Sequence, residues 1–136
     1  AMAVTVNTSP FYSLWPARVN QTIDAVKAAI IAQDFSKFGA SIENNALEMH
    51  ALMLTAKPAI IYNTAATLAG MEQVWQARKQ GIEVYFTQDA GPNLKLFFLA
   101  KDQAALKTML PNLEIITPWI TINTNGRQVI RERVYG

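Results

Sequence analysis

Apolar residues recur at helical spacing through the first eighty positions and then switch to the spacing of strands. From Pro16 to Gln33, Val19, Ile23, Val26 and Ile30 fall on one helical face, with Pro16 suited to the first turn. Ser36 can cap a second helix running to about Lys57, where Ile42, Ala46, Met49 and Met53 form one stripe and Pro58 ends it. These two helices should form an antiparallel pair joined at Asp34-Phe35. Ala59 to Tyr62 is a short apolar run, strand or extended connector. Asn63 or Thr64 can cap a third helix to about Gln80, with Leu68, Met71, Trp75 and Arg78 on one face, Trp75 in the core and Gly81 as the stop.

Beyond Gly81 the period is two. Ile82 to Phe86 and Leu94 to Leu99 alternate as strands joined by the turn Thr87-Gln88-Asp89-Ala90-Gly91-Pro92-Asn93. Ile82, Val84 and Phe86 face one way, and Glu83, Tyr85 and Thr87 the other. Asp102 can cap a short helix through about Leu110, Pro111-Asn112 breaks it, and Leu113 to Ile116 reads as a third strand. Asn125-Gly126, between Trp119 to Asn123 and Gln128 to Val134, is the strongest two-residue hairpin signal in the chain. At the other end, residues 3 to 14 read as an extended lead-in with a turn at Thr8 to Pro10. Phe11, Tyr12, Leu14 and Trp15 form an apolar cluster expected to pack on the domain. This order predicts an α+β domain, its helices covering one face of a mostly antiparallel sheet.

At 136 residues the chain has the size of a single domain, 1–136, and 51% hydrophobic residues suffice for a core. A net charge of +2 without a basic block gives little support to nucleic-acid binding. With no cysteine there is no disulfide framework and no thiolate nucleophile or metal site. The apolar runs fall short of the roughly 20 residues a membrane span needs, and no signal peptide is visible, so the expected location is the cytoplasm.

Candidate chemistry centres on the turn. Gly91 can take backbone angles closed to other residues, and Pro92 fixes its own φ. A turn so constrained holds Asp89 in a defined place, as a general base requires. A turn aspartate can equally do no more than bond backbone N–H groups nearby. His50 lies among apolar helix neighbours, Leu47 and Leu54, with no second ligand at metal spacing, and is given no chemical role. Arg78 could bind phosphate, although a solvated cation at a helix end is the simpler assignment. No Walker-type phosphate loop occurs; Gly39-Ala40-Ser41 lies inside a patterned helix.

Asp89-Ala90-Gly91-Pro92-Asn93, after a strand ending in Phe86-Thr87, resembles the catalytic-aspartate loop of the diphosphomevalonate decarboxylases of the GHMP kinase superfamily. Further matches precede it in order: Thr8-Ser9-Pro10-Phe11, Asp34-Phe35 with Phe38, Ala46-Leu47 with Met49-His50-Ala51, and Arg78 with Gly81. They extend over roughly residues 8 to 100 and weaken towards the C-terminus. The family's own phosphate loop, Pro-x-x-x-Gly-Leu-x-Ser-Ser-Ala, is missing.

The resemblance implies a ferredoxin-like GHMP kinase C-terminal domain, the C-terminal half of a larger enzyme whose N-terminal ATP-binding half is absent. That other half would supply the phosphate loop, a serine and an arginine, and would bind most of the ATP and Mg²⁺. The implied reaction is ATP-dependent decarboxylation of mevalonate 5-diphosphate to isopentenyl diphosphate in isoprenoid biosynthesis. Asp89 would be the catalytic residue, acting on the proton of the C3 hydroxyl, with Ala90, Gly91 and Asn93 shaping the loop or touching substrate. The fragment alone is expected to be inactive, and apolar surface left where the other half belongs could favour a homodimer. Two further possibilities stay open at this point. One is a relative acting on another mevalonate derivative, as a 3-kinase or phosphomevalonate decarboxylase. The other is a free-standing ferredoxin-like binding module in which Asp89 is only a turn residue.

Overall fold

A computed structural model describes residues 2–112, 120–122 and 128–130. Its first element departs from the sequence expectation. Met2–Thr8 forms a helix, α1, where an extended lead-in is expected over residues 3 to 14. Tertiary anchoring overrides local propensity here. Thr5 is buried, Thr8 Oγ1 accepts from Lys57 N at 2.7 Å, and the Ser9 hydroxyl meets that of Thr55 at 2.8 Å. Phe11 and Leu14 of the apolar cluster stay exposed.

Helix α2 spans Trp15–Ala32 and α3 spans Phe35–Leu54. The cap of α3 is Asp34, not Ser36: the Asp34 carboxylate accepts from Lys37 N at 3.0 Å. Ser36 instead donates to Glu83. The face of α2 turned inwards carries Val19, Val26 and buried Ala29, while Ile23 and Ile30 point outwards. Small Ala29 lets α2 lie close to α3, which the longer isoleucines would prevent. Residues 59–62 form no regular element.

Helix α4, Ala65–Lys79, begins as expected at Thr64, whose hydroxyl accepts from Thr67 N at 3.1 Å while Thr67 returns a bond to Thr64 N. Its buried stripe is Thr67, Met71, Val74 and Ala77. Leu68 and Trp75 lie beside that stripe, so Trp75 is 38% exposed, its ring tilted against Phe86 with centroids 6.0 Å apart. Gly81, at φ +91°, closes the helix by letting Ile82 N reach back to Ala77 O.

Strands β1, Val84–Gln88, and β2, Leu94–Phe98, pair antiparallel with Val84 opposite Phe98 and Gln88 opposite Leu94. Helix α5, Gln103–Met109, follows; Asp102 precedes it without a side-chain cap bond. Strands β3, Ile120–Ile122, and β4, Gln128–Ile130, form a second antiparallel pair flanking the Asn125-Gly126 signal. The expected strand at Leu113 to Ile116 lies outside the described residues. Helices with antiparallel sheet give the expected α+β class.

The core gathers Val84 and Phe86 of β1 with Met71, Val74 and Ala77 of α4 and Leu106 of α5. Tyr85 turns the other way, its ring edge-on to Phe35 at 5.7 Å. A Cβ on Gly39 would fall 2.1 Å from Tyr85 Cδ2, so Gly39 serves close packing of α3 on β1 and not phosphate binding. Because Tyr85 is buried, its ring has little room to move. Gly39→Ala should therefore cost about 1–3 kcal/mol from overpacking, measurable as a lowered urea midpoint; an unchanged midpoint would refute this account.

Candidate active site

The site is the five-residue connection from β1 to β2, and its position follows from how α3 lies along β1. Gly39 packs on Tyr85, Glu43 bonds Phe86 N, and His50 reaches Asp89, so helix and strand advance in the same direction. Eleven residues of helix span about 16 Å, and four residues of strand about 13 Å. The near match brings the C-terminal part of α3 level with the turn.

Three backbone carbonyls of this turn each accept a bond from a side chain on a different element. Asp89 O lies 3.1 Å from His50 Nε2 of α3. Gly91 O accepts from Gln88 Nε2 of β1 at 2.8 Å, and Gln88 is itself buried and donates to Asn63 Oδ1 at 2.7 Å. Pro92 O accepts from Thr67 Oγ1 of α4 at 2.7 Å. Gly91 takes φ +146°, which a residue with a side chain rarely adopts. The backbone is thus held while the carboxylate is not buried.

The Asp89 side chain is 73% exposed, and its Oδ2 accepts from Lys95 Nζ at 2.7 Å. Lys95 stands opposite Thr87 in the β1–β2 register, so its side chain shares the face from which Asp89 projects. So exposed a pair is worth about 0–1 kcal/mol, which leaves the carboxylate open to solvent and to a ligand. Ala90 and Asn93 are exposed on the same turn. Sequence reasoning overlooked Lys95; the period-two register that places it beside Asp89 was the available signal.

Arg78 is not the solvated helix-end cation that its position suggested. Its guanidinium makes a two-pronged bond to the Glu43 carboxylate, each arm 2.8 Å, and donates to Val84 O at 2.9 Å. It also lies 4.8 Å from the Tyr85 ring centre. Arg78 is therefore a structural cation. Among the described residues no group of three His, Cys, Asp or Glu side chains could hold a metal ion, and no helix is long and apolar enough to cross a membrane.

Helices packed with antiparallel sheet are the arrangement of an α+β GHMP kinase C-terminal domain. Residues 1–132 match the family model described as the mevalonate 5-diphosphate decarboxylase C-terminal domain, and the chain belongs to that family. Among solved structures it is similar to the mevalonate diphosphate decarboxylase from Enterococcus faecalis: 38% identity, 94% of this chain, 37% of that one, TM-score 0.79. A complex of MDDEF with MVAPP, AMPPCP and magnesium matches at 43% identity over 80% of this chain and 33% of that one, TM-score 0.77. The diphosphomevalonate decarboxylase of Candida albicans is 29% identical over 110 residues, 80% of this chain and 30% of the relative. The chain thus spans about a third of the length of the relatives it matches.

Proposed function

We propose that this chain is the C-terminal domain of an ATP-dependent diphosphomevalonate decarboxylase of the mevalonate pathway, working in the cytoplasm with an N-terminal half that binds the nucleotide. The observation that carries this reading is the Asp89 turn: a fixed backbone that presents an exposed carboxylate. The Enterococcus faecalis relative, described with mevalonate diphosphate and ATP, supports the choice of substrates. The MDDEF complex with MVAPP, AMPPCP and magnesium supports the same choice.

In this reading mevalonate 5-diphosphate lies with its C3 hydroxyl against Asp89. The carboxylate accepts the hydroxyl proton as the oxygen takes the γ-phosphoryl group of ATP. The exposed side chain then passes that proton to solvent, and as phosphate departs its restored negative charge stabilises positive character at C3. The C1–C2 bond then breaks, CO₂ leaves, and the bond's electron pair forms the C2=C3 double bond of isopentenyl diphosphate. Ala90, Gly91 and Asn93 shape the loop against the substrate. Among the described residues no cluster of His, Cys, Asp or Glu fits magnesium, and the sequence has no phosphate loop, so magnesium and the nucleotide are assigned to the N-terminal half.

The test is ATP-dependent CO₂ release from mevalonate 5-diphosphate by the full-length enzyme. CO₂ and ADP are expected in equal amounts. ADP with a phosphorylated product and no CO₂ would replace this reading with a 3-kinase. Turnover of mevalonate 5-phosphate instead would move it to a phosphomevalonate decarboxylase.

A further inference from the structure

We propose that His50 is a positioning residue for Asp89, fixing the peptide from which the carboxylate projects; this rests on the reading of Asp89 as the base. The bond between His50 Nε2 and Asp89 O, 3.1 Å long, has only one possible polarity. A carbonyl oxygen cannot donate, so Nε2 must carry the hydrogen. The ring is steadied in turn by Tyr62, which meets it edge-on with centroids 6.0 Å apart.

The other two supports of the turn act further along. Gln88 holds Gly91 O and Thr67 holds Pro92 O, on the side leading into β2. His50 alone of the three grips the carbonyl of Asp89 itself. That carbonyl carbon is bonded to the Cα bearing the carboxylate, so rotation of this peptide would swing the base. The pair with Lys95 is too exposed to resist such a swing. Misplacing a reacting group by about 1 Å can cost roughly a hundredfold in rate. A half-buried histidine between a helix and a turn would otherwise be only a satisfied boundary residue, and the two roles part on turnover.

Two variants of the full-length enzyme separate them. His50→Phe keeps a ring for Tyr62 and removes the donor; His50→Gln keeps an N–H at about the reach of Nε2. His50→Phe should lower kcat for CO₂ release about ten- to hundredfold, with KM for mevalonate 5-diphosphate and for ATP within about twofold and the thermal midpoint little changed. His50→Gln should recover most of the lost kcat. Wild-type kcat in His50→Phe overturns the proposal, as does an equal loss in both variants. Asp89→Asn assayed alongside keeps the two ideas apart. If Asp89→Asn is dead while His50→Phe turns over normally, only the positioning role falls. If Asp89→Asn retains wild-type turnover, the base assignment itself is wrong.

Discussion

Asp89→Asn in the full-length enzyme is expected to lower kcat for CO₂ release by about a thousandfold, within the range that a positioned general base contributes. Asparagine keeps the size of the side chain and an acceptor for Lys95 Nζ, and it does not touch the Asp89 carbonyl that His50 holds. What it removes is the negative charge and the ability to take a proton. KM for mevalonate 5-diphosphate should therefore move little, since the loss falls on the transition state. The substitution is also a fair trial of the plainer role. Asparagine is at least as well suited to turns as aspartate, so if position 89 only shapes the loop, Asp89→Asn should be silent. Product analysis adds a second check. If the carboxylate serves both proton acceptance and stabilisation of charge at C3, as proposed, phosphorylated intermediate should not accumulate, since the first step is already blocked. Accumulation would place Asp89 in the second step only.

The parts of this architecture legible in the sequence are those governed by neighbours in the chain. The turn between β1 and β2 is announced by Gly91-Pro92, the start of α4 by Thr64, and its end by Gly81, each through local backbone chemistry. Periodicity likewise marks α2 and α3, yet it mistakes which residues of α2 point inwards. Ile23 and Ile30 are the more apolar choice, but packing on α3 selects Val19, Val26 and Ala29. Helix α1 could not be found this way, because its anchors Lys57 and Thr55 lie almost fifty residues along the chain. The site divides similarly. Asp89 stands out by its local frame, whereas the contact of His50 with Asp89 joins positions 39 residues apart. Glu43 gives no local sign at all. It sits in the inward stripe of α3, where its charge should be costly, and only the arrival of Arg78 from α4 explains it.

That buried pair should be the most sensitive point of the fold. Arg78→Ala is expected to destabilise the protein by about 3–5 kcal/mol, because it strands a Glu43 carboxylate that is only 7% exposed. Glu43→Ala should cost somewhat less on the charge, since Arg78 at 27% exposure can still find water. It also leaves Phe86 N, which donates to Glu43 Oε1 at 3.2 Å, without its acceptor. Many buried ion pairs can be replaced by apolar residues of similar volume at no loss. This one should resist that exchange. Besides meeting each other, the two side chains bond Phe86 N and Val84 O, backbone groups of β1. A Glu43→Met, Arg78→Met double variant would orphan both groups, at about 1–3 kcal/mol for each buried donor or acceptor left unmade. Equilibrium urea unfolding of the single and double variants decides the matter. A double variant as stable as the wild type would show that the pair is dispensable to β1. One that stays weakened, with both single variants worse still, would show that the pair ties α3 and α4 to the strand that leads into the Asp89 turn.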